Sequence, residues 1–142
     1  MRITVVFLAA ILLVACGEKQ QSKAGWNYRP PRGAYEALLS YDFADAGQTR
    51  FTGMCNGDPT FSMAGGDWQF LAPQFTLTVD DQSWTLPTMQ GEHGHYLVVD
   101  RYAQAQAIAH AKQRIVFQVG NWRREVQPGA PLSQFVRDCG EG

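Results

Sequence analysis

From Ala34 onward, apolar side chains return at every second residue, and this period of two leaves little choice of architecture. In Tyr35-Glu-Ala-Leu-Leu-Ser-Tyr-Asp-Phe43, positions 35, 37, 39, 41 and 43 are apolar or aromatic while 36, 40 and 42 are polar. A strand places alternate side chains on opposite faces, so the pattern predicts a half-buried strand. The same alternation recurs at Phe51, Gly53 and Cys55, and after the turn Asn56-Gly57-Asp58-Pro59 at Phe61 and Met63, before Gly65-Gly66. Phe75, Leu77 and Val79 lead into Asp80-Asp81-Gln82, with Trp84 and Leu86 beyond, which predicts a hairpin closed before Pro87. Ile115, Phe117 and Val119 precede Gly120-Asn121, a two-residue hairpin turn, and Trp122, Arg124 and Val126 continue on its far side. Short strands at such spacing predict a mainly β domain, a small antiparallel sandwich or barrel.

Two segments leave the pattern. Tyr102 to Lys112 (YAQAQAIAHAK) holds five alanines with no Gly or Pro, and predicts a short helix. At the C-terminus, Pro131 stands at a helix-entry position; Leu132, Phe135, Val136 and Cys139 share one helical face, and Gly140 is placed to end the helix. That face carries Cys139 toward the core, where it can meet the strand of Cys55.

The N-terminus obeys a different rule. Arg2 precedes an apolar run from Ile3 to Ala15, shorter than the about 20 residues a spanning helix needs. A positive start, a short apolar core and small residues before a break are the parts of a secretory signal peptide. Leu13-Val14-Ala15-Cys16 resembles the lipobox of bacterial lipoprotein precursors. That resemblance implies a thioether-linked diacylglycerol on Cys16, cleavage between Ala15 and Cys16, and acylation of the new amino group. Each buried lipid methylene adds about 0.8 kcal/mol, so two or more chains hold a domain to the bilayer without a spanning helix. Gly17, rather than Asp, resembles the outer-membrane sorting pattern of such proteins. The expected organisation is a signal peptide over 1–15, an acylated cysteine and polar, Pro-containing tether over 16–33, and a single β-rich domain over 34–142. Trp26 and Tyr28 are unusual in a spacer and are expected to dock on the domain as a first edge segment.

Cleavage removes one of 12 basic residues and none of the 13 acidic ones. Such a chain has no concentrated basic surface of the kind nucleic acid needs. Arg123-Arg124 is its one basic doublet of note, and on a strand the two point to opposite faces. With Cys16 assigned to lipid, Cys55 and Cys139 remain of the three cysteines, and an oxidising compartment predicts that they pair. Met54 and Asn56 offer no cation to activate Cys55 as a nucleophile, and there is no Cys-x-x-Cys motif.

The strongest chemical candidate is Gly91-Glu92-His93-Gly94-His95-Tyr96. If extended, it turns His93 and His95 to one side, where they can ligate a transition metal ion with Glu92 or Asp100 nearby. Complete sites take three or four ligands, and the alternative is a glycine-flanked hairpin loop with solvated histidines. The serines lack a Gly-x-Ser-x-Gly context, and no glycine-rich phosphate loop precedes a helix. Asp42/Asp45 and Asp80/Asp81 sit at strand ends and turns, where an ordinary solvated Asp belongs. Trp68, Trp84 and Trp122 fall on the apolar phase of their strands and read as core.

The closing order of Ala-rich helix, strand, hairpin turn, strand and short helix ending in cysteine resembles the invasion-associated locus B family of exported β-sandwich proteins. It implies a sandwich and carries no function. Small β-rich lipoproteins that inhibit lysozyme are similar in size and staple, but no inhibitory loop motif is present to carry over. The expectation is a membrane-anchored, periplasm-facing lipoprotein without a catalytic set, whose domain binds an envelope protein or a foreign hydrolase it inhibits. The alternative is a metal-binding or metal-dependent periplasmic protein using His93 and His95.

Overall fold

The alternating segments become strands wherever one face finds a core to cover. The computed structural model describes residues 24–34, 36–45, 49–65, 72–91 and 94–140. In chain order these form β1 (Gly25–Arg29), β2 (Leu38–Asp42), β3 (Thr49–Asn56), β4 (Asp58–Gly65), β5 (Gln74–Val79), β6 (Gln82–Pro87), β7 (Met89–Gly91), β8 (Gly94–Val99), α1 (Tyr102–Ala109), β9 (Ile115–Val119), β10 (Trp122–Val126) and α2 (Ala130–Gly140). The expected signal peptide, Cys16 and the first part of the expected tether lie outside the described residues, as do Tyr35 and Trp68.

Among the described residues the strands make two antiparallel sheets, β1-β2-β3-β4-β8-β7 and β10-β9-β5-β6. This is the mainly β, sandwich-like arrangement with two helices that the alternation predicts. The inward set is the predicted one: Leu39, Phe51, Phe61, Met63, Leu77, Ile115 and Phe117 are all buried. Phe75 stacks on Phe117 within the four-stranded sheet, and Phe117 meets Phe51 across the layers at 5.9 Å between ring centroids. Phe51 stacks on Phe61, which meets Phe135 of α2 at 6.0 Å. One aromatic path therefore runs from the smaller sheet through the larger one into the C-terminal helix.

Gly53 makes that last contact possible. A Cβ there would lie 3.2 Å from ring carbons of both Phe135 and Phe61. The glycine in an otherwise apolar strand phase is thus a close-approach position.

β1 is the expected edge segment, so the packed domain takes in residues read above as the end of the tether. Trp26 Nε1 donates to the Gln127 carbonyl at 3.0 Å, and its ring lies edge-on to Tyr41 and Phe51. The two sheets are joined here, because Gln127 follows β10 directly. Close by, Arg124 of β10 pairs with Asp45 after β2 at 3.1 Å and lies over the Trp122 ring.

The helices differ from expectation at their ends. α1 stops at Ala109 rather than Lys112: His110 donates back to the Gln106 carbonyl and Ala111 to that of Ile108, and the amides from Lys112 onward turn away to a different acceptor. That acceptor is Asp80, whose carboxylate takes the N–H groups of Lys112, Gln113 and Arg114 at 2.7–3.2 Å. α2 runs through Gly140 and buries Leu132, Phe135 and Cys139, the predicted face. No helix among the described residues is long and apolar enough to cross a membrane.

Candidate binding cleft beside the disulfide

Cys55 lies near the end of β3 and Cys139 in the last turn of α2. Because β3 and α2 are already brought together by Phe61, Gly53 and Phe135, the two Cα atoms stand 5.5 Å apart and the sulfurs are bonded. The predicted disulfide therefore closes a separation of 84 residues and fastens the last helix to the larger sheet.

Beside it opens a cleft of about 440 Å³ lined by Pro31, Glu36, Ala37, Cys55, Gly57, Asp138 and Cys139. Each wall has a separate origin: the turn after β1, the entry to β2, the β3–β4 hairpin and the end of α2. Gly57 sits at the hairpin tip with a φ of +80°, a conformation that favours glycine. The larger share of the wall is apolar, with two carboxylates and no base among the described lining residues.

Asp138 is held from two directions. Tyr28 of β1 donates its hydroxyl to Oδ2, and Gln134 Nε2 donates to Oδ1 at 3.0 Å. Burial of the Tyr28 hydroxyl and its bond to the Asp138 carboxylate push the phenol up to about 12. Tyr28 and Asp138 are 110 residues apart, and no sequence spacing announces their contact. Glu36, by contrast, is exposed at the cleft.

The metal candidates fare differently. His93 and Glu92 lie outside the described residues, and His95 is paired with Gln90 in the β7–β8 ladder, whose register also sets Gly91 against Gly94. The segment is thus a hairpin, as its flanking glycines allow. Among the described residues no group of three or more His, Cys, Asp or Glu side chains gathers around a common metal position.

Three of the four paired acidic residues depart from the expected solvated state, whereas Asp81 is exposed as expected. Asp42 is 7% exposed and accepts from Asn27 Nδ2 at 3.1 Å and Arg50 Nε at 2.6 Å, so it ties β1, β2 and β3 together. At Asp45, desolvation opposes ionisation, but bonds from Thr49 and Arg124 outweigh it and lower the carboxyl below its ordinary value. Asp80 is lowered chiefly by the Gln113 amide, then by those of Lys112 and Arg114. Each sits at a strand end or turn, as predicted, but acts there as a clip. Sequence reasoning missed this because the donors come from distant segments. Trp84 and Trp122 pack partly buried against the core, as predicted.

A second cavity of about 250 Å³ lies at the opposite sheet edges, lined by Leu86, Pro87, Met89, Val98, Val99, Asp100 and Arg101. It contains one charge of each sign.

Compared with protein family models, curated proteins and solved structures, the chain matches none. The C-terminal likeness to the invasion-associated locus B family accordingly remains one of element order.

Proposed function

We propose that this protein is a bacterial lipoprotein, anchored through acylated Cys16 on the periplasmic side of the envelope, whose β domain binds another protein and turns over no substrate. The observation that carries the reading is cysteine accounting. Of three cysteines, Cys55 and Cys139 are joined to each other, which leaves Cys16, the one that completes the lipobox, for another chemistry. A disulfide within the domain also suits an exported chain. Gly17 favours the outer membrane over the inner.

The non-enzymatic half of the reading is supported by how the carboxylates are used. Asp42, Asp45 and Asp80 are engaged by amides, arginines or an asparagine that connect elements of the fold. What is left for recognition is a shaped cleft beside a rigidly stapled helix.

The test is metabolic labelling with radiolabelled palmitate in a bacterial host, comparing the full chain with Cys16→Ser. Label in the membrane fraction that the substitution abolishes is the expected result. An unlabelled chain that retains residues 1–15, or a label unaffected by Cys16→Ser, overturns the anchor. In-cell cross-linking of the full-length protein then addresses the second half, where one stoichiometric protein partner is expected.

A further inference from the structure

We propose that the cleft beside the disulfide seats an arginine or lysine side chain of the partner protein, its aliphatic stem against Pro31, Ala37 and the disulfide and its cationic head at Glu36 and Asp138. This inference rests on the protein-binding reading above and names the chemistry of the contact.

The argument begins with what the walls accept. A cleft of about 440 Å³ falls in the ~300–1,000 Å³ range of sites that enclose a ligand group. Its apolar lining favours an occupant with hydrocarbon to bury. A purely apolar occupant would strip water from Glu36 and Asp138 and return nothing, a costly exchange for a carboxylate. An anion would meet two like charges with no base among the described lining residues to offset them. Long cationic side chains satisfy both conditions, since they lay a methylene stem on apolar surface and present the charge at the end.

Comparison with the second cavity sharpens this. There Asp100 and Arg101 supply both signs, so no charge is selected. Only the disulfide cleft presents a one-sided balance of the two.

Asp138 is also prepared for the role. Tyr28 takes one oxygen and Gln134 the other, which fixes the carboxylate plane. An ionised carboxylate offers about four acceptor sites, so capacity remains for an incoming guanidinium or ammonium. The bonds that orient it come from β1 and from within α2, and the disulfide holds α2 in place. Less ordering is therefore left for the binding step.

The experiment titrates the full-length lipoprotein, in detergent micelles, with an acetylated and amidated tri-arginine peptide, followed by amide chemical shifts. The matching tri-citrulline peptide, equal in shape and uncharged, is the control. Shifts confined to residues around 31, 36–37, 55–57 and 138–139 are expected, with tri-citrulline binding about fivefold more weakly, the upper end for a part-exposed charge pair. Glu36→Lys is expected to abolish binding. Glu36 is exposed, so an unchanged spectrum elsewhere verifies that the variant is folded. Asp138→Asn retains an acceptor for Tyr28 and is expected to weaken binding about fivefold. Equal binding of tri-citrulline, shifts scattered away from the cleft, or affinity unaltered by Glu36→Lys would each overturn the proposal. The labelling test reads separately: palmitate on Cys16 without arginine binding sinks the cleft assignment alone, and arginine binding without palmitate sinks the anchor alone.

Discussion

The protein secures two of its returning segments in opposite ways. α2 comes back onto the larger sheet and is held by a covalent bond from Cys139, by Phe135 in the core, and by the Asp138 contact with Tyr28. The stretch after α1 comes back toward the smaller sheet and is held at Asp80, whose carboxylate gathers three successive amides and whose backbone N–H and carbonyl bond Arg114. The cross-link acts largely by restricting the unfolded chain, whereas the carboxylate acts only in the folded state. The cross-link is therefore insensitive to acid and sensitive to reductant, and the carboxylate clip the reverse.

The largest effect is expected at the staple. For a sequence separation of 84 the chain-entropy model assigns the disulfide roughly 4.5 kcal/mol. Replacing both cysteines, Cys55→Ser with Cys139→Ser, should lower stability by about 4 kcal/mol, read as the urea midpoint of wild type against variant. The loss should be the same at pH 5 and pH 7, and wild type treated with reductant should approach the variant. If the loss is under about 1 kcal/mol, apolar packing of Leu132 and Phe135 alone positions α2, and the contrast between the two grips disappears.

The carboxylate clip is the next target. Asp80 stands at a φ of 53°, a backbone region that Asn and Asp tolerate better than most side chains. Asp80→Ala removes the acceptor and leaves a strained residue, and about 1–2 kcal/mol of destabilisation is expected. Asp80→Asn keeps one acceptor oxygen and the tolerance for positive φ, so a smaller loss is expected. The difference has a direction in pH. Asp80 is lowered from 3.8 in the folded protein, so its contribution is fully present above that unfolded value and is lost as pH falls through the folded one. Wild type and Asp80→Asn should therefore converge in strong acid and separate above pH 4. Amide exchange at Lys112, Gln113 and Arg114 should accelerate together in Asp80→Ala, and independent changes at the three would deny a shared acceptor.

The difference between these grips also explains what the sequence could announce. Alternation at Phe51, Phe61, Leu77 and Phe117 is a local record of a face, so the sandwich core was legible, and so were both helices. The disulfide was legible because elimination left two cysteines. Asp42, Asp45 and Asp80 read as strand-end or turn residues and Asp138 drew no reading, since donors that employ them sit at remote positions in the chain. The cleft is illegible for the same reason: its walls come from Pro31, Glu36, Gly57 and Asp138, which share no periodicity. β1 was half legible, through Trp26 and Tyr28 in an otherwise polar tether. β8 was less legible, because its glycine and histidine start breaks the apolar alternation that Leu97 and Val99, both buried, carry on.

The smallest expected effect belongs to Tyr28, which joins the stapled end to the first strand. Its phenol is raised from 10.0 to about 12, first by burial and then by the Asp138 carboxylate. A raised pKa means that the folded state favours the protonated form. The corresponding stability is fully present below pH 10 and is lost as pH climbs from 10 through about 12. Tyr28→Phe should cost about 1 kcal/mol at pH 7, the net value of one hydrogen bond to a charged acceptor that retains Gln134 and water. Above pH 10 the gap between wild type and Tyr28→Phe should close, and phenolate absorbance should lose one late-titrating group in the variant. If instead all tyrosines of the wild type ionise together near pH 10, the Tyr28 hydroxyl is not held by Asp138. The C-terminal end would then depend on its disulfide and core residues alone, and the carboxylate in the cleft would lose one of its two orienting partners.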